Sequence, residues 1–393
     1  MRLASALGQY ITVTLSYWAF TLTDGALRML VLLFFHNLGY SPLEIASLFL
    51  LYEFFGMVTN LYGGWLASRY GLTLTMQLGL GLQILALALL LADPSLLSVV
   101  YVMVAQAISG IAKDLNKMSA KSSIKLLMPD TEQSRLYRWV ALLTGSKNAL
   151  KGLGFFLGGA LLASIGFQGS ILVMMGLLLL TLLASLLLLD NQPGTNRQPF
   201  TQSFSTSSAV NRLAAARLFL FASRDVWFVV SLPVFLQSQL GWSHVQVGSL
   251  MASWIIAYGA VQALAPKITG NHLRPGGSTL FVWAIWLCAI PCGIAAALHW
   301  GFDANLFLVA GLLIFGAIFA INSSLHSYLI VAFARRDAVS LDVGFYYMAN
   351  AGGRLLGTIL SGLLYQQFGL ISCLLASSLM IALSAMIAKG LKQ

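Results

Sequence analysis

The stretch GSILVMMGLLLLTLLASLLLL, residues 169–189, runs 21 positions without a charged side chain. A helix needs about 20 apolar residues to cross the hydrocarbon core of a bilayer, so this run reads as a membrane span. GLISCLLASSLMIALSAMIA, residues 369–388, reads the same way. The surrounding composition agrees. Of 393 residues, 59% are hydrophobic and 9% charged, against roughly 25% charged in a soluble domain. So little charge does not cover a water-facing surface. That excludes a soluble enzyme, a nucleic-acid-binding domain and a disordered chain. The net charge of +10 is then a matter for the loops of a membrane protein, with no nucleic-acid partner expected.

Turn signals at Gly39-Tyr40-Ser41-Pro42, Asp93-Pro94, Gly166, Gly241-Trp242-Ser243, Pro275-Gly276-Gly277, Gly301 and Gly369 divide the chain. The helical spans fall near 10–35, 42–67, 72–92, 96–121, 136–163, 167–189, 213–238, 244–265, 278–298, 304–330, 341–365 and 369–388. The first is too long for a cleaved signal and holds Asp24 and Arg28. The polar stretch 190–212, rich in Pro, Ser, Thr and Asn, reads as a linker between a first half, 1–189, and a second half, 213–393. The fold class expected is an all-α integral membrane protein with twelve transmembrane helices in two six-helix halves.

Charge in the turns fixes orientation. Turns after the odd-numbered spans contain no Lys or Arg, whereas 13 bases lie on the alternate side: Arg2, Arg69, Lys125, Arg135, Arg138, Arg197, Arg212, Lys267, Arg274, Arg335, Arg336, Lys389 and Lys392. By the positive-inside rule both termini and the linker face the cytoplasm. A near-constant offset adds a weak internal repeat. Asp24 and Asp225 are 201 apart, Asn148 and Asn350 are 202 apart, and Gly166 and Gly369 are 203 apart. Two parallel six-helix repeats resemble the major facilitator architecture.

The remaining nine bases lie in or at the ends of spans. Lys121 and Arg217 sit near cytoplasmic ends, where long side chains snorkel. Arg28, Lys113, Lys117, Lys147, Lys151, Arg224 and Arg354 lie deeper, with the acids Asp24, Glu53, Asp114 and Asp225 at the same depth. Each charge costs roughly 2.5–3.5 kcal/mol at a helix centre. Some pairing is expected: Asp24 and Arg28 are four apart on one face, whereas adjacent Arg224 and Asp225 diverge and need partners on other helices. If each acid takes one base, three cations remain. Lys113 and Lys117 form one stripe, and Lys147 and Lys151 another. This surplus points to a small anionic substrate with more than one anionic group, and lysine, a point charge, releases its ligand readily.

Tyr17, Thr21, Gln106, Asn116, Asn148, Asn322, Ser323, His326, Tyr328 and Asn350 extend the candidate lining. Tyr17, Asn148 and Asn322 are substrate-binding candidates. Asp24, Glu53, Asp114, Asp225 and His326 are candidates for ion pairing or coupling. His326 suits proton shuttling near neutral pH, and equally suits a hydrogen-bonded place between helices, as do Asn and Ser. Cys288, Cys292 and Cys373 offer neither a disulfide framework nor a metal spacing and read as buried apolar thiols. No cofactor or metal is expected.

Glycine patterns lead toward families. Gly145-x8-Gly154-x3-Gly158 resembles the start of the antiporter motif of major facilitator exporters, then departs at Gly159 and Leu162-Ala163. The same glycines equally read as close helix packing. Gly64-Trp65-Leu66-Ala67-Ser68-Arg69-Tyr70-Gly71 resembles the superfamily's loop signature, with Ser68 replacing its acid and Leu72-Thr73 its basic pair. Gln106 stands where the proton-linked motif has Arg.

Longer strings are more specific. They are Tyr17-Trp18-Ala19-Phe20-Thr21-Leu22-Thr23-Asp24-Gly25-Ala26-Leu27-Arg28-Met29-Leu30, Ser109-Gly110-Ile111-Ala112-Lys113-Asp114-Leu115, Lys117-Met118-Ser119-Ala120-Lys121-Ser122, Thr144-Gly145-Ser146-Lys147-Asn148-Ala149-Leu150-Lys151-Gly152 and Arg224-Asp225-Val226-Trp227-Phe228-Val229-Val230. Together they resemble the ArsJ-type organoarsenical efflux permeases of bacterial arsenic-resistance operons, over nearly the whole chain. The resemblance implies alternating-access export of 1-arseno-3-phosphoglycerate from a bacterial inner membrane, conferring arsenate resistance. It also implies functional coupling to glyceraldehyde-3-phosphate dehydrogenase, which makes that compound. A monomer is expected, and with no His-rich cluster, nucleophile elbow or soluble catalytic domain, a carrier rather than an enzyme. A proton-coupled drug or organophosphate antiporter of the same fold is the alternative, and a membrane enzyme a more distant one.

Overall fold

The computed structural model describes residues 6–39, 48–127, 133–190, 194, 207–242, 244–270, 275–336 and 338–391. Most of the expected linker, Tyr40-Ser41-Pro42, Ser243, Arg2, Arg197, Arg274 and Lys392 lie outside the described residues. Every described element is helical. They are α1 (Ala6–Asn37), α2 (Leu50–Tyr70), α3 (Leu72–Leu89), a short 3-10 turn (Pro94–Leu96), α4 (Val99–Leu127), α5 (Gln133–Leu188), α6 (Ser208–Phe228), α7 (Ser231–Ser238), α8 (His244–Thr269), α9 (Gly277–His299), α10 (Ala304–Phe333) and α11 (Val339–Lys389).

Two elements far exceed a bilayer's thickness. α5 has 56 residues and α11 has 51, so at 1.5 Å per residue an unbroken α5 would run about 84 Å. Each is interrupted by one glycine in the left-handed φ region: Gly166 at φ 71° and Gly369 at φ 76°. Side chains rarely adopt that conformation, so glycine marks where each chain re-aims between successive helices. Both positions coincide with expected span boundaries. Eight of the described helices are long and apolar enough to cross a membrane, α5 and α11 each counting once.

The chain forms two compact units. The first comprises Met1–Glu132, Ser146–Phe204 and Ala334–Phe345; the second comprises Gln133–Gly145, Ser205–Phe333 and Tyr346–Gln393. In the first, small residues bring α1 against α5. A Cβ on Gly25 would lie 2.7 Å from the Lys151 carbonyl, and one on Gly154 would lie 2.6 Å from that of Leu22. Gly158 meets Ala26 in the same way. The Trp18 indole adds a 2.7 Å hydrogen bond to Ser146. Gly154 and Gly158 of the antiporter-like motif are thus packing residues.

The second unit repeats the device. A Cβ on Gly357 would meet the Ala222 carbonyl at 2.6 Å, joining α6 to α11. Its apolar core sets Trp227 edge-on to Phe315 and tilts Phe228 against Trp254, with Phe319 buried beside Phe221 and Tyr258. Glycine contacts also join Gly64 to Ser340 within the first unit, and Gly145 to Gly259 and Ala263 within the second.

Candidate functional site

The first unit gathers charge around Tyr52 of α2. Close packing places this ring, because the Tyr52 backbone runs against Gly110 of α4, where a Cβ would clash. The Tyr52 hydroxyl donates to Asp24 Oδ1 at 2.6 Å. Its ring lies under the Arg28 guanidinium at 4.3 Å and the Lys113 ammonium at 3.9 Å. Cations over an aromatic face gain roughly 0.5–1 kcal/mol at exposed sites and about 2 kcal/mol or more when desolvated.

Ion pairing departs from the expected pattern. Arg28 does not pair with Asp24 one turn away; its Nη2 donates to Glu53 Oε1 at 2.6 Å. Lys113 Nζ lies 3.9 Å from Glu53 and 3.6 Å from Asp114. Lys117 also engages Asp114, which is 2% exposed. Asp114 therefore serves two lysines, and Asp24 keeps a neutral partner.

Lys151, on the first part of α5, makes no ion pair or side-chain hydrogen bond with a described residue. The charged groups acting on it are Arg28, Lys113, Asp24 and Glu53. Its α5 neighbours Lys147 and Asn148 are half-buried. Tyr17 is 2% exposed, and its carbonyl accepts from the Thr21 hydroxyl at 2.8 Å. Gln106 is buried, and neither of its amide atoms finds a partner among the described residues.

In the second unit the fully buried Asp225 is a double acceptor. Arg224 Nε donates to its Oδ1 at 2.6 Å, and Arg354 Nε from α11 donates to Oδ2 at 3.3 Å. The expected divergence of Arg224 and Asp225 is corrected here: the long arginine curls back onto its neighbour, and only Arg354 comes from another helix. The Arg224 guanidinium also lies 4.8 Å from the Phe221 ring centroid.

Arg217 is the residue that sequence reasoning missed. A snorkelling side chain would be exposed, whereas Arg217 is 3% exposed. Its Nε donates to Asn350 Oδ1 at 2.8 Å, and its Nη1 to the carbonyl and hydroxyl of Ser323 at 3.2 and 3.1 Å. No described carboxylate pairs with it. Lys121 is also buried, at 2% exposure. The one signal available was polar Ser323 and Asn350 on other helices of the same half.

Asn322 donates to the Ile318 carbonyl at 3.1 Å and is 1% exposed. His326 is 2% exposed, and its Nδ1 has no partner among the described residues. Tyr328 donates to Gln133 at 3.0 Å. Cys288 donates to the Ser378 carbonyl at 3.3 Å. Cys292 is exposed rather than buried. Among the described residues no three His, Cys, Asp or Glu side chains cluster to hold a metal ion.

The fold has solved counterparts. The chain is similar to the human organic anion transporter MFSD10 (TETRAN), with TM-score 0.76, 15% identity, and 98% of this chain and 100% of that chain covered. A variant of the E. coli fucose:proton symporter FucP gives TM-score 0.78, 12% identity and 99% and 100% coverage. A bacterial homologue of the iron transporter ferroportin gives 0.73, 13%, and 96% and 98%. At such identities the likeness speaks for the fold. No curated protein sequence matches. The sequence profile described as the Major Facilitator Superfamily matches residues 11–231, more than half of the 393 residues. With that match and the helical architecture, the chain belongs to the Major Facilitator Superfamily of membrane transporters.

Proposed function

We propose that this protein is a secondary active transporter that exports a small phosphorylated anion from the cytoplasm across a bacterial inner membrane, with 1-arseno-3-phosphoglycerate as cargo. One observation carries the anion reading. The Lys151 ammonium stands without a described carboxylate partner, in a unit where Arg28, Lys113, Lys117, Lys147 and Lys151 outnumber Asp24, Glu53 and Asp114. The Lys151 charge stays outside the ion pairs described, and an anionic passenger would offset it. Superfamily membership supports transport. The arsenic comes from the strings that resemble ArsJ-type permeases. A drug/proton antiporter would favour an acidic, aromatic lining, so the basic excess counts against it.

The test is growth on arsenate. An arsenate-sensitive bacterium with active glyceraldehyde-3-phosphate dehydrogenase should regain growth and lose cell-associated arsenic when it expresses the protein. Lys117→Ala and Lys147→Ala should abolish both effects at unchanged membrane abundance. Growth that the wild-type protein does not restore would reject the cargo. Full activity in both variants would remove those lysines from the site. Everted vesicles with and without a proton gradient would decide the coupling, for which Asp24, Glu53, Asp225 and His326 are the candidates.

A further inference from the structure

Arg217 differs from Arg28, Lys113, Lys117, Arg224 and Arg354, each of which lies against a carboxylate, and from Lys151, on which carboxylates act from a distance. Arg217 has only neutral partners, Asn350 and Ser323. The Phe221 ring lies 3.9 Å from the guanidinium and the Tyr346 ring 5.4 Å. These contacts use Nε and Nη1 and leave Nη2 without a described acceptor. A guanidinium presents five donors in a rigid fork matched to an oxyanion, so this site is incomplete as it stands.

A second group points to the same occupant. The Tyr346 hydroxyl belongs to a residue with 0% exposure and has no hydrogen-bond partner among the described residues, and the Tyr346 ring lies 5.4 Å from the Arg217 guanidinium. Buried hydroxyls in native proteins normally find partners, and a phenol donates to an anionic oxygen. Serine and asparagine already fix the guanidinium's orientation, as a receptor requires.

The geometry points to an anion-binding site in the second unit, centred on Arg217 with the Tyr346 hydroxyl as an added donor, that takes a small carboxylate. Donor count sets the class. Nη2 of Arg217 and the Tyr346 hydroxyl are the two groups left over, matching the two oxygens of a carboxylate, whereas a phosphate with three oxygens suits the clustered lysines of the first unit. The acyl arsenate of the proposed cargo has no free carboxylate, so the ligand of this site is a separate small carboxylic acid, and the inference rests on the proposed anion transport only in taking this protein to carry small acids.

Binding to the full-length protein in nanodiscs tests it with two probes: D-glycerate, which carries a carboxylate and no phosphate, and glycerol 3-phosphate, which carries the reverse. Arg217→Gln should weaken glycerate at least tenfold and leave glycerol 3-phosphate within twofold. Lys151→Ala should do the opposite. Because Arg217→Gln also breaks helix contacts, Tyr346→Phe provides the second variant. It removes only an unpartnered hydroxyl, so it should keep the melting temperature while weakening glycerate several-fold. Wild-type protein that binds glycerol 3-phosphate but not glycerate overturns the Arg217 site alone. Glycerate binding without glycerol 3-phosphate binding overturns the phosphate reading and upholds this one. Glycerate binding unchanged in both Arg217→Gln and Tyr346→Phe assigns these residues to helix packing and refutes the site.

Discussion

Replacing Lys151 by Met keeps an unbranched side chain of similar length and removes the charge. Lys151 lies near the middle of the stretch 133–165, in the part of α5 before the Gly166 break, with no described carboxylate in ion-pair contact. A charge at such depth costs about 2.5–3.5 kcal/mol on the insertion scale. Part of that is offset by the more distant Asp24 and Glu53 and part is added back by Arg28 and Lys113. Lys151→Met should therefore unfold at the same or a higher temperature than wild type. A charge-assisted hydrogen bond to a ligand contributes about 1.5–3 kcal/mol, or roughly ten- to 150-fold in affinity at 1.4 kcal/mol per decade. Calorimetric titration with glycerol 3-phosphate should show that loss, while Lys151→Arg should retain most of the affinity. Sites that hold uncompensated charge for function often trade stability for it, and the two readouts should move in opposite directions. A variant that melts lower yet binds as well as wild type would make Lys151 a structural cation and refute the reasoning.

Two further perturbations probe how the site is held. Gly154→Val would place a Cβ 2.6 Å from the Leu22 carbonyl, where ordinary contact is 3.4–4 Å. It should push α1 from α5 by about 1 Å at an overpacking cost of about 1–3 kcal/mol, seen as a lower melting temperature and weaker binding together. Tyr52→Phe keeps the ring beneath Arg28 and Lys113 but removes the 2.6 Å donor to Asp24. Leaving that buried acceptor without its partner should cost about 1–3 kcal/mol in thermal unfolding, with the cation–ring contacts intact; an unchanged melting temperature would mean water replaces the phenol.

What the sequence disclosed follows from what its chemistry encodes locally. Gly166 and Gly369 were legible as breaks because a left-handed φ is a property of the residue itself. The lysine pairs were legible because side chains four apart share a helix face. Pairing between helices was not legible. The i,i+4 rule assigned Arg28 to Asp24, but Glu53, 25 positions away, reaches the guanidinium while Tyr52 takes the carboxylate. Arg217 was set aside because its position fits snorkelling, and nothing local shows that Ser323 and Asn350 would come to it. Hydropathy is equally silent on partnership, so it gave no sign that residues 133–145 group with the second unit and 334–345 with the first.

The near-repeat sharpens the difference between the two acids it relates. Asp24 and Asp225 occupy corresponding places 201 residues apart, each on the first helix of its half and each beside a glycine crossing to a partner helix. Their partners are unlike. Asp225 is clasped by two guanidiniums, so its negative charge is neutralised twice over, and it ties α6 to α11. Asp24 receives one phenol, while the nearby guanidinium goes to Glu53. Repeat symmetry accounts for the position of these carboxylates but not for their loads. If both served only to hold the helices together, equivalent packing would favour equivalent partners. The first unit instead spends its acids on Tyr52, Arg28 and the α4 lysines and leaves Lys151 unclasped, whereas the second concentrates its pairing on Asp225 and leaves Arg217 to neutral groups. In each unit, then, one deep cation is held out of ion pairing by the same fold that supplies acids to its neighbours, and that is the arrangement expected where negative charge arrives with a ligand.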